Sequence, residues 1–272
     1  MAWWGKLIGG AFGFVVGGPL GAVLGAALGH GFDRGLEVAT EGEFLEPGER
    51  ERVQTAFFTA TFAVLGHVAK ADGRVTEQEI GLAQALMGEM DLTPEMRRTA
   101  IRLFTEGKSP EFPLDEVIDQ FRLECRRRST LIQMFLEIQL KVAYADGLLN
   151  PPERRLLEYI AQRLGFPAAA FRDLEAMLRA EWEFLHGRAE GGRRAPRPAE
   201  RVPLREAYAI LNVSQDASDA EVKKSYRRLL NQHHPDKLVA KGLPEEMMKL
   251  AATKTIEIKR AYEAVKKARG LR

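Results

Sequence analysis

Between Leu7 and Gly29 run 23 residues that carry no charge. As a helix rising about 1.5 Å per residue they span roughly 35 Å, enough for a bilayer core of about 30 Å. A cleaved signal peptide fits less well. Lys6 alone precedes the run, no clean small-x-small cleavage site follows it, and the run exceeds the apolar core of about 7–15 residues usual in such peptides. Residues 1–35 are therefore read as a retained, single-pass anchor, with 36–50 as a connector. Everything beyond must fold in water while tethered to a membrane.

The anchor's glycines are ordered. Gly5, Gly9, Gly13, Gly17, Gly21, Gly25 and Gly29 recur at every fourth position. Overlapping small-xxx-small patterns let two helix backbones approach closely in lipid. A homodimer through the transmembrane helix is expected, with Gly9, Gly13, Gly17, Gly21 and Gly25 at the contact. A step of four advances about 40° around a helix, so the stripe spirals and a crossing uses only part of it. Pro19 removes one backbone donor and is expected to kink the span. Lys6 before the run and Arg34 after it, among Asp33 and Glu37, leave the orientation near balance.

Charge divides the rest. From Leu204 to Arg272 there are 15 Lys and Arg against 9 Asp and Glu, a local +6. The remaining chain has 25 against 29, or −4, which together give the net +2. A basic C-terminal module implies an acidic partner surface. Cys125 is the one cysteine, so no intrachain disulfide forms and a reducing compartment fits. No His or acid follows it at a suggestive spacing, and it reads as incidental.

From Arg50 to His186 the pattern is helical throughout. FFTATFAVLGHVAKA (57–71) and STLIQMFLEIQLKVAYA (129–145) place apolar residues three and four apart. No run alternates as a strand does. The prediction is six to eight helices, with breaks near Gly73, Thr93-Pro94, Pro110, Pro151-Pro152 and Gly165-Phe166-Pro167. AKADGRVTEQEI (69–80) and AYADGLLNPPER (143–154) form an internal repeat offset by 74 residues. In each, a glycine supplies the left-handed turn and a capped helix follows, Thr76 with Glu79 and Asn150-Pro151 with Glu153. Asp72 and Asp146 are expected in equivalent turns, as turn-making side chains rather than cation ligands. Each loop holds too few carboxylates for a calcium loop. His67, on the apolar stripe, is expected to be a satisfied core residue. This doubled turn resembles the TerB (tellurite-resistance) helical domain family over 51–186, a resemblance that implies a compact all-helical fold and carries no enzymatic residues. The following GRAEGGRRAPRPAERVP (187–203) reads as a basic flexible linker on which the C-terminal module can swing.

In 204–272, Leu204, Ala207, Tyr208 and Leu211 line one side of a short helix. Ser218 and Glu221 form a capping box for the next, which carries Val222, Tyr226 and Leu229 on one face and Lys223, Lys224, Arg227 and Arg228 on the other. His234-Pro235 ends it, since a residue before proline is driven out of helical geometry. A third helix is expected to begin near Pro244, with Ala251, Ile258, Ala261, Tyr262 and Val265 apolar. Two antiparallel helices would hold His234-Pro235-Asp236-Lys237 at an exposed tip.

Tyr208-Ala209-Ile210-Leu211, the basic helix, His234-Pro235-Asp236-Lys237 and Lys259-Arg260-Ala261-Tyr262-Glu263 together resemble a J-domain. The resemblance implies binding to a DnaK-type heat-shock chaperone and stimulation of its ATP hydrolysis, with no cofactor and no catalytic residue. Zinc at His233, His234 and Asp236 lacks a cysteine and suffers from the adjacent spacing. Acid–base catalysis lacks a nucleophile or oxyanion hole. Nucleic-acid binding through the basic helix is the more serious rival, although no nucleic acid is expected as partner. The whole order resembles membrane-anchored J-domain co-chaperones of bacteria. It implies an inner-membrane protein, amino terminus outside and bulk in the cytoplasm, of all-α class. An alternative function is a membrane scaffold or stress-signalling protein acting through the TerB-like domain, with the J-domain accessory.

Overall fold

The computed structural model describes residues 18–25, 49–73, 77–90, 92–126, 128–144, 147–190, 204–241, 243–244 and 247–270. The architecture is all-α, and the described residues contain no strand. The central domain consists of α2 (Glu49–Ala69), α3 (Glu77–Glu89), α4 (Pro94–Gly107), α5 (Leu114–Glu124), α6 (Ser129–Ala143), α7 (Pro151–Arg163) and α8 (Ala168–Glu190). The expected breaks fall between these helices. Thr93 caps α4 by accepting the Met96 N–H at 3.2 Å, with Pro94 as the first helical residue. Gly73, Gly147 and Gly165 adopt φ of +88°, +88° and +73°, the left-handed geometry that glycine tolerates. Helix α8 runs to Glu190, into the stretch read as linker.

Helix α2 is the axis of the domain and touches α4, α5, α6 and α7. It is buried almost all round, from Val53 to Ala69, as its near-continuous apolar sequence requires. Phe57 meets Phe121 of α5 at 6.0 Å between ring centroids, and Phe121 meets Phe135 of α6 at 4.7 Å. These are ordinary tilted aromatic distances in a core. Gln139 of α6, fully buried, donates through Nε2 to the Thr61 carbonyl at 3.1 Å.

The crossing of α2 and α4 is closer than side chains permit. A methyl group on Gly66 would lie 1.9 Å from the Phe104 carbonyl oxygen, and one on Gly107 1.8 Å from that of Ala63. The two glycines form reciprocal notches, each filled by the other helix's backbone. His67, next to one notch, lies within 3.0 Å of the Gly107 carbonyl through Nδ1 and packs on Phe112. Burial holds its pKa below the ordinary value, partly opposed by that carbonyl. It is the satisfied core histidine expected of it. Cys125 is fully buried, and desolvation pushes its thiol up to about 12, so it is an unreactive core residue.

The internal repeat is visible as geometry. Gly73 and Gly147 share the same φ. The first helix of each repeat contacts the second helix of the other, α2 with α7 and α3 with α6. Asn150 Nδ2 lies 3.5 Å from Asp72 Oδ2, bringing the two turns together. Pro151 opens α7, and Glu153 accepts the Asn150 N–H at 3.2 Å. Trp182 of α8 seats on Gly147, where a methyl would fall 2.1 Å from the indole. Thr76, Asp146 and the Glu79 side chain lie outside the described residues.

Helix α1, described over 18–25, is part of the N-terminal uncharged run. Leu20 and Val23 are buried in the central core, and Leu20 N–H donates to Gln120 Oε1 at 2.7 Å. Lipid and protein interiors satisfy the same apolar side chains, so a transmembrane pairing through 18–25 requires this contact with the central domain to be released. Gly21 and Gly25 are half-buried on α1, while Gly9, Gly13 and Gly17 lie outside the described residues. No helix among the described residues is long and apolar enough to cross a membrane.

The C-terminal module has α9 (Leu204–Ile210), α10 (Asp219–His233), α11 (Pro235–Ala240) and α12 (Met248–Arg269). Helices α10 and α12 pack together with α9 braced on α12. Their cluster contains Ala207, Tyr208, Leu211, Val222, Leu229, Ile258, Ala261 and Val265. Two expectations need correction. Leu204 is exposed, because α9 begins there and its side chain precedes the buried turn. The α-helical part of the last helix begins at Met248, and the expected start near Pro244 is the turn before it, in which the Met247 N–H donates to the Pro244 carbonyl at 3.0 Å. Between them an unforeseen helix, α11, begins at Pro235, whose fixed φ suits the first helical position.

Gly66→Ala is expected to destabilise the full chain in detergent by on the order of 3 kcal/mol, because backbone cannot yield as a side chain can. Gly81→Ala, where an added methyl meets nothing within 4 Å, is expected to be neutral or stabilising. Urea midpoints of the two variants check this; equal midpoints would refute the notch.

Candidate functional site

The tip is built by two helix ends sharing one residue. Ser218 begins α10 through a full capping box. Its N–H donates to Glu221 Oε2 at 2.7 Å, and the Glu221 N–H returns to Ser218 Oγ at 3.3 Å. The Ser218 hydroxyl, which donates to Glu221 Oε2 at 2.8 Å, and then the Ser218 N–H hold the Glu221 carboxyl below its usual pKa. At the other end His234 has φ −65° and ψ 124°, extended geometry, and serves as C-cap of α10 and N-cap of α11. Pro235 enforces this break. The chain therefore turns at a point with little conformational freedom.

The cationic face is open. Lys223, Lys224, Arg227 and Arg228 are all exposed on α10. Arg228 reaches Ser225 Oγ at 3.2 Å. Beyond them the His234 and Asp236 side chains are 48% and 85% accessible. Nδ1 of His234 and Oδ2 of Asp236 stand 3.9 Å apart, too far for a hydrogen bond, so each can address a partner. Pro235 is half-buried and Lys237 exposed, the latter bonded to Asn231 Oδ1. All eight residues singled out in the sequence lie along this one helix, its end and the turn after it.

The adjacent histidines part company. His233 is 5% exposed, its ring Nε2 lies 3.8 Å from Glu137 of α6, and its carbonyl accepts the Thr255 hydroxyl at 2.9 Å. Burial holds its pKa below normal; Glu137 opposes this and Lys254 reinforces it. His233 is thus a neutral interior group, while His234 faces solvent. They do not converge on one point. No group of three or more His, Cys, Asp or Glu suited to a metal occurs among the described residues.

Two supports were not legible in the sequence. Arg269, near the end of α12, donates to Tyr208 Oη at 2.6 Å, to the Ala217 and Gln215 carbonyls at 2.6 and 2.9 Å, and to Asp219 at 2.8 Å. It ties α9, the loop and the start of α10 to α12, and these bonds raise its pKa further. Tyr226 and Tyr262 stack at 3.9 Å with 9° between planes, joining α10 to α12. An arginine at a helix C-terminus announces a dipole contact but no distant partners. The tyrosines sit on the two apolar faces already read from periodicity, and only the pairing was unknown.

Comparison with known proteins covers the same three regions. The family model described as Co-chaperone DjlA transmembrane domain matches residues 1–39, that described as Tellurite resistance protein TerB matches 58–176, and that described as DnaJ domain matches 206–269. The chain is 44% identical to "Co-chaperone protein DjlA" of Coxiella burnetii, over 100% of both chains. It is 42% identical to the protein of that name from Vibrio cholerae, over 98% of this chain and 99% of the other. The like-named protein of Shewanella oneidensis is 44% identical over 100% of both. No solved structure matches.

Proposed function

The chain belongs to the DjlA family of membrane-anchored J-domain co-chaperones, and on that premise we propose that it binds a DnaK-type heat-shock chaperone through α10 and the His234-Pro235-Asp236 tip and stimulates that partner's ATP hydrolysis. The observation that carries this reading is the open row of Lys223, Lys224, Arg227 and Arg228 leading to an exposed Asp236 on a turn stiffened by proline. Opposite charges across a forming interface steer encounter and set orientation. A turn already fixed loses little entropy on docking. Asp236 offers a carboxylate to a partner Arg or Lys, and His234 a directional nitrogen. Lys237 adds a further cation beside them. The chain forms and breaks no bond. It acts by preferring one conformation of the chaperone over another.

The module's place follows from its partner. A DnaK-type chaperone works in the cytoplasm, so the bulk of the chain lies on the cytoplasmic side of the inner membrane with the amino terminus outside. The fourfold glycine spacing supports pairing of two chains through the anchor, at Gly9, Gly13, Gly17, Gly21 and Gly25.

Asp236→Asn is expected to abolish stimulated ATP turnover of the chaperone while leaving nucleic-acid affinity unchanged or stronger; retained stimulation would falsify the reading. With Cys125 buried, a cysteine at exposed Arg205 reports topology. An impermeant maleimide should label it in inverted inner-membrane vesicles and not in spheroplasts, and the opposite pattern reverses the orientation. Gly21→Leu with Gly25→Leu is expected to cut crosslinking between the transmembrane helices of two chains severalfold, and unchanged crosslinking removes the proposed pairing.

A further inference from the structure

The last helices belong to two cores. Ile258, Ala261 and Val265 of α12 pack within the C-terminal module, but Ala251 at its start does not. Ala251 joins Leu238, Leu243 and Met247 in the apolar cluster of the central domain, and all four are at most 1% exposed. The stretch that separates the tip from α12 thus joins the central cluster, while α11 also touches α10 and α12. This is the stretch by which the connection is longer than a simple turn between two helices requires, and its composition, LVAKGLP, mixes large apolar residues with turn formers. A free loop has no reason to carry Leu238, Leu243 and Met247.

We propose that Leu238, Lys241, Leu243, Pro244 and Met247 form a latch that docks the J-domain onto the central domain and presents the tip with its chaperone-facing residues outward. Two polar contacts with α6 frame the apolar ones. Lys241 Nζ donates to Thr130 Oγ1 at 2.7 Å, and His233 lies beside Glu137. Pro244 reaches the cleft between α2 and α4, beside Phe58 and Met96. Both flanks of the tip, His233 before it and Leu238 after it, are consequently held by the central domain or its cluster. The residues proposed to meet the chaperone take no part in this contact. Lys223, Lys224, Arg227, Arg228, His234, Asp236 and Lys237 all remain exposed. Docking and chaperone binding therefore use different surfaces and can coexist. A second contact joins α8 to α9, so the module meets the central domain at two places.

The latch itself does not depend on what the tip binds; its consequence for chaperone stimulation rests on the function proposed above. Held flanks present the tip in one arrangement, and undocking returns that ordering cost to the binding step.

Cysteines placed in the full chain in detergent as Thr130→Cys and Lys241→Cys, joined by a short bismaleimide, test the dock directly. An intrachain crosslink is expected, absent from either single variant, and the crosslinked chain should stimulate the chaperone to within about twofold of the uncrosslinked one. No crosslink overturns the dock, and a crosslinked chain without stimulation overturns the outward presentation. Thr130→Arg sets a like charge against Lys241. Amide exchange across 237–241 should then accelerate about tenfold as that segment is released, and the concentration for half-maximal stimulation should rise about fivefold. Unchanged exchange there overturns the latch. Should exchange within 131–143 also rise, showing damage to α6 itself, Glu137→Lys puts a cation against His233, on which Lys254 already acts, and is judged by the same two readings. If Asp236→Asn leaves stimulation intact, the proposed function fails, while crosslinking and exchange still decide the latch.

Discussion

The seating of α2 on α4 through Gly66 and Gly107 sets the geometry of the central domain. Without side chains between them, the backbones approach until each carbonyl fills the other's notch. Helix α2 is then enclosed and can serve as the common wall for α5, α6 and α7. The Phe57–Phe121–Phe135 column depends on that position, since core side chains packed at near-crystalline density transmit small shifts. Helix α6, fixed on α2 in this way, supplies Thr130 and Glu137 to the C-terminal module. The placing of the tip thus traces back to two glycines in another domain.

The tip combines two elementary constraints. Proline forbids helical geometry at His234 and favours a fresh helix after it. The result is a corner with one end of α10 and the start of α11 meeting at a single extended residue. Solvation then divides the two histidines. His233, facing α6, is buried and neutral; His234 stands in water next to Asp236. The chemical identity of the pair is the same, and only burial gives them different roles. The bonds that Arg269 makes to Tyr208, Ala217, Gln215 and Asp219 hold the base of the cationic helix while its charged face stays open.

Much of this was readable from local pattern. The 3.6-residue periodicity located the long helices, and the Ser218–Glu221 box and the His234-Pro235 break set the ends of α10. The duplicated ADG turn announced a duplicated backbone, which Gly73 and Gly147 display with equal φ. Expectation failed where burial came from another domain. Proline suits a first turn, and a turn from Pro244 to Met247 does lead into α12, but the local pattern did not announce that Leu243 and Met247 are drawn into the central cluster. Helix α11 was missed because six residues are too few for a period to show. Residues 191–203 of the stretch read as a flexible linker lie outside the described residues, and no local pattern announced that the module packs on the central domain at two sites.

What the amino-acid order determined by itself was everything decided within a turn or two of the chain: the uncharged run, the helices and caps, the repeat, and the proline-stiffened corner behind a row of cations. These depend on steric and hydrogen-bonding rules between near neighbours. Tertiary structure alone decided which apolar residues belong to which core, why one histidine is hidden and its neighbour exposed, and how the tip is held against α6. Those outcomes depend on contacts between residues such as Thr130 and Lys241, or Gly66 and Phe104, whose meeting no local pattern encodes.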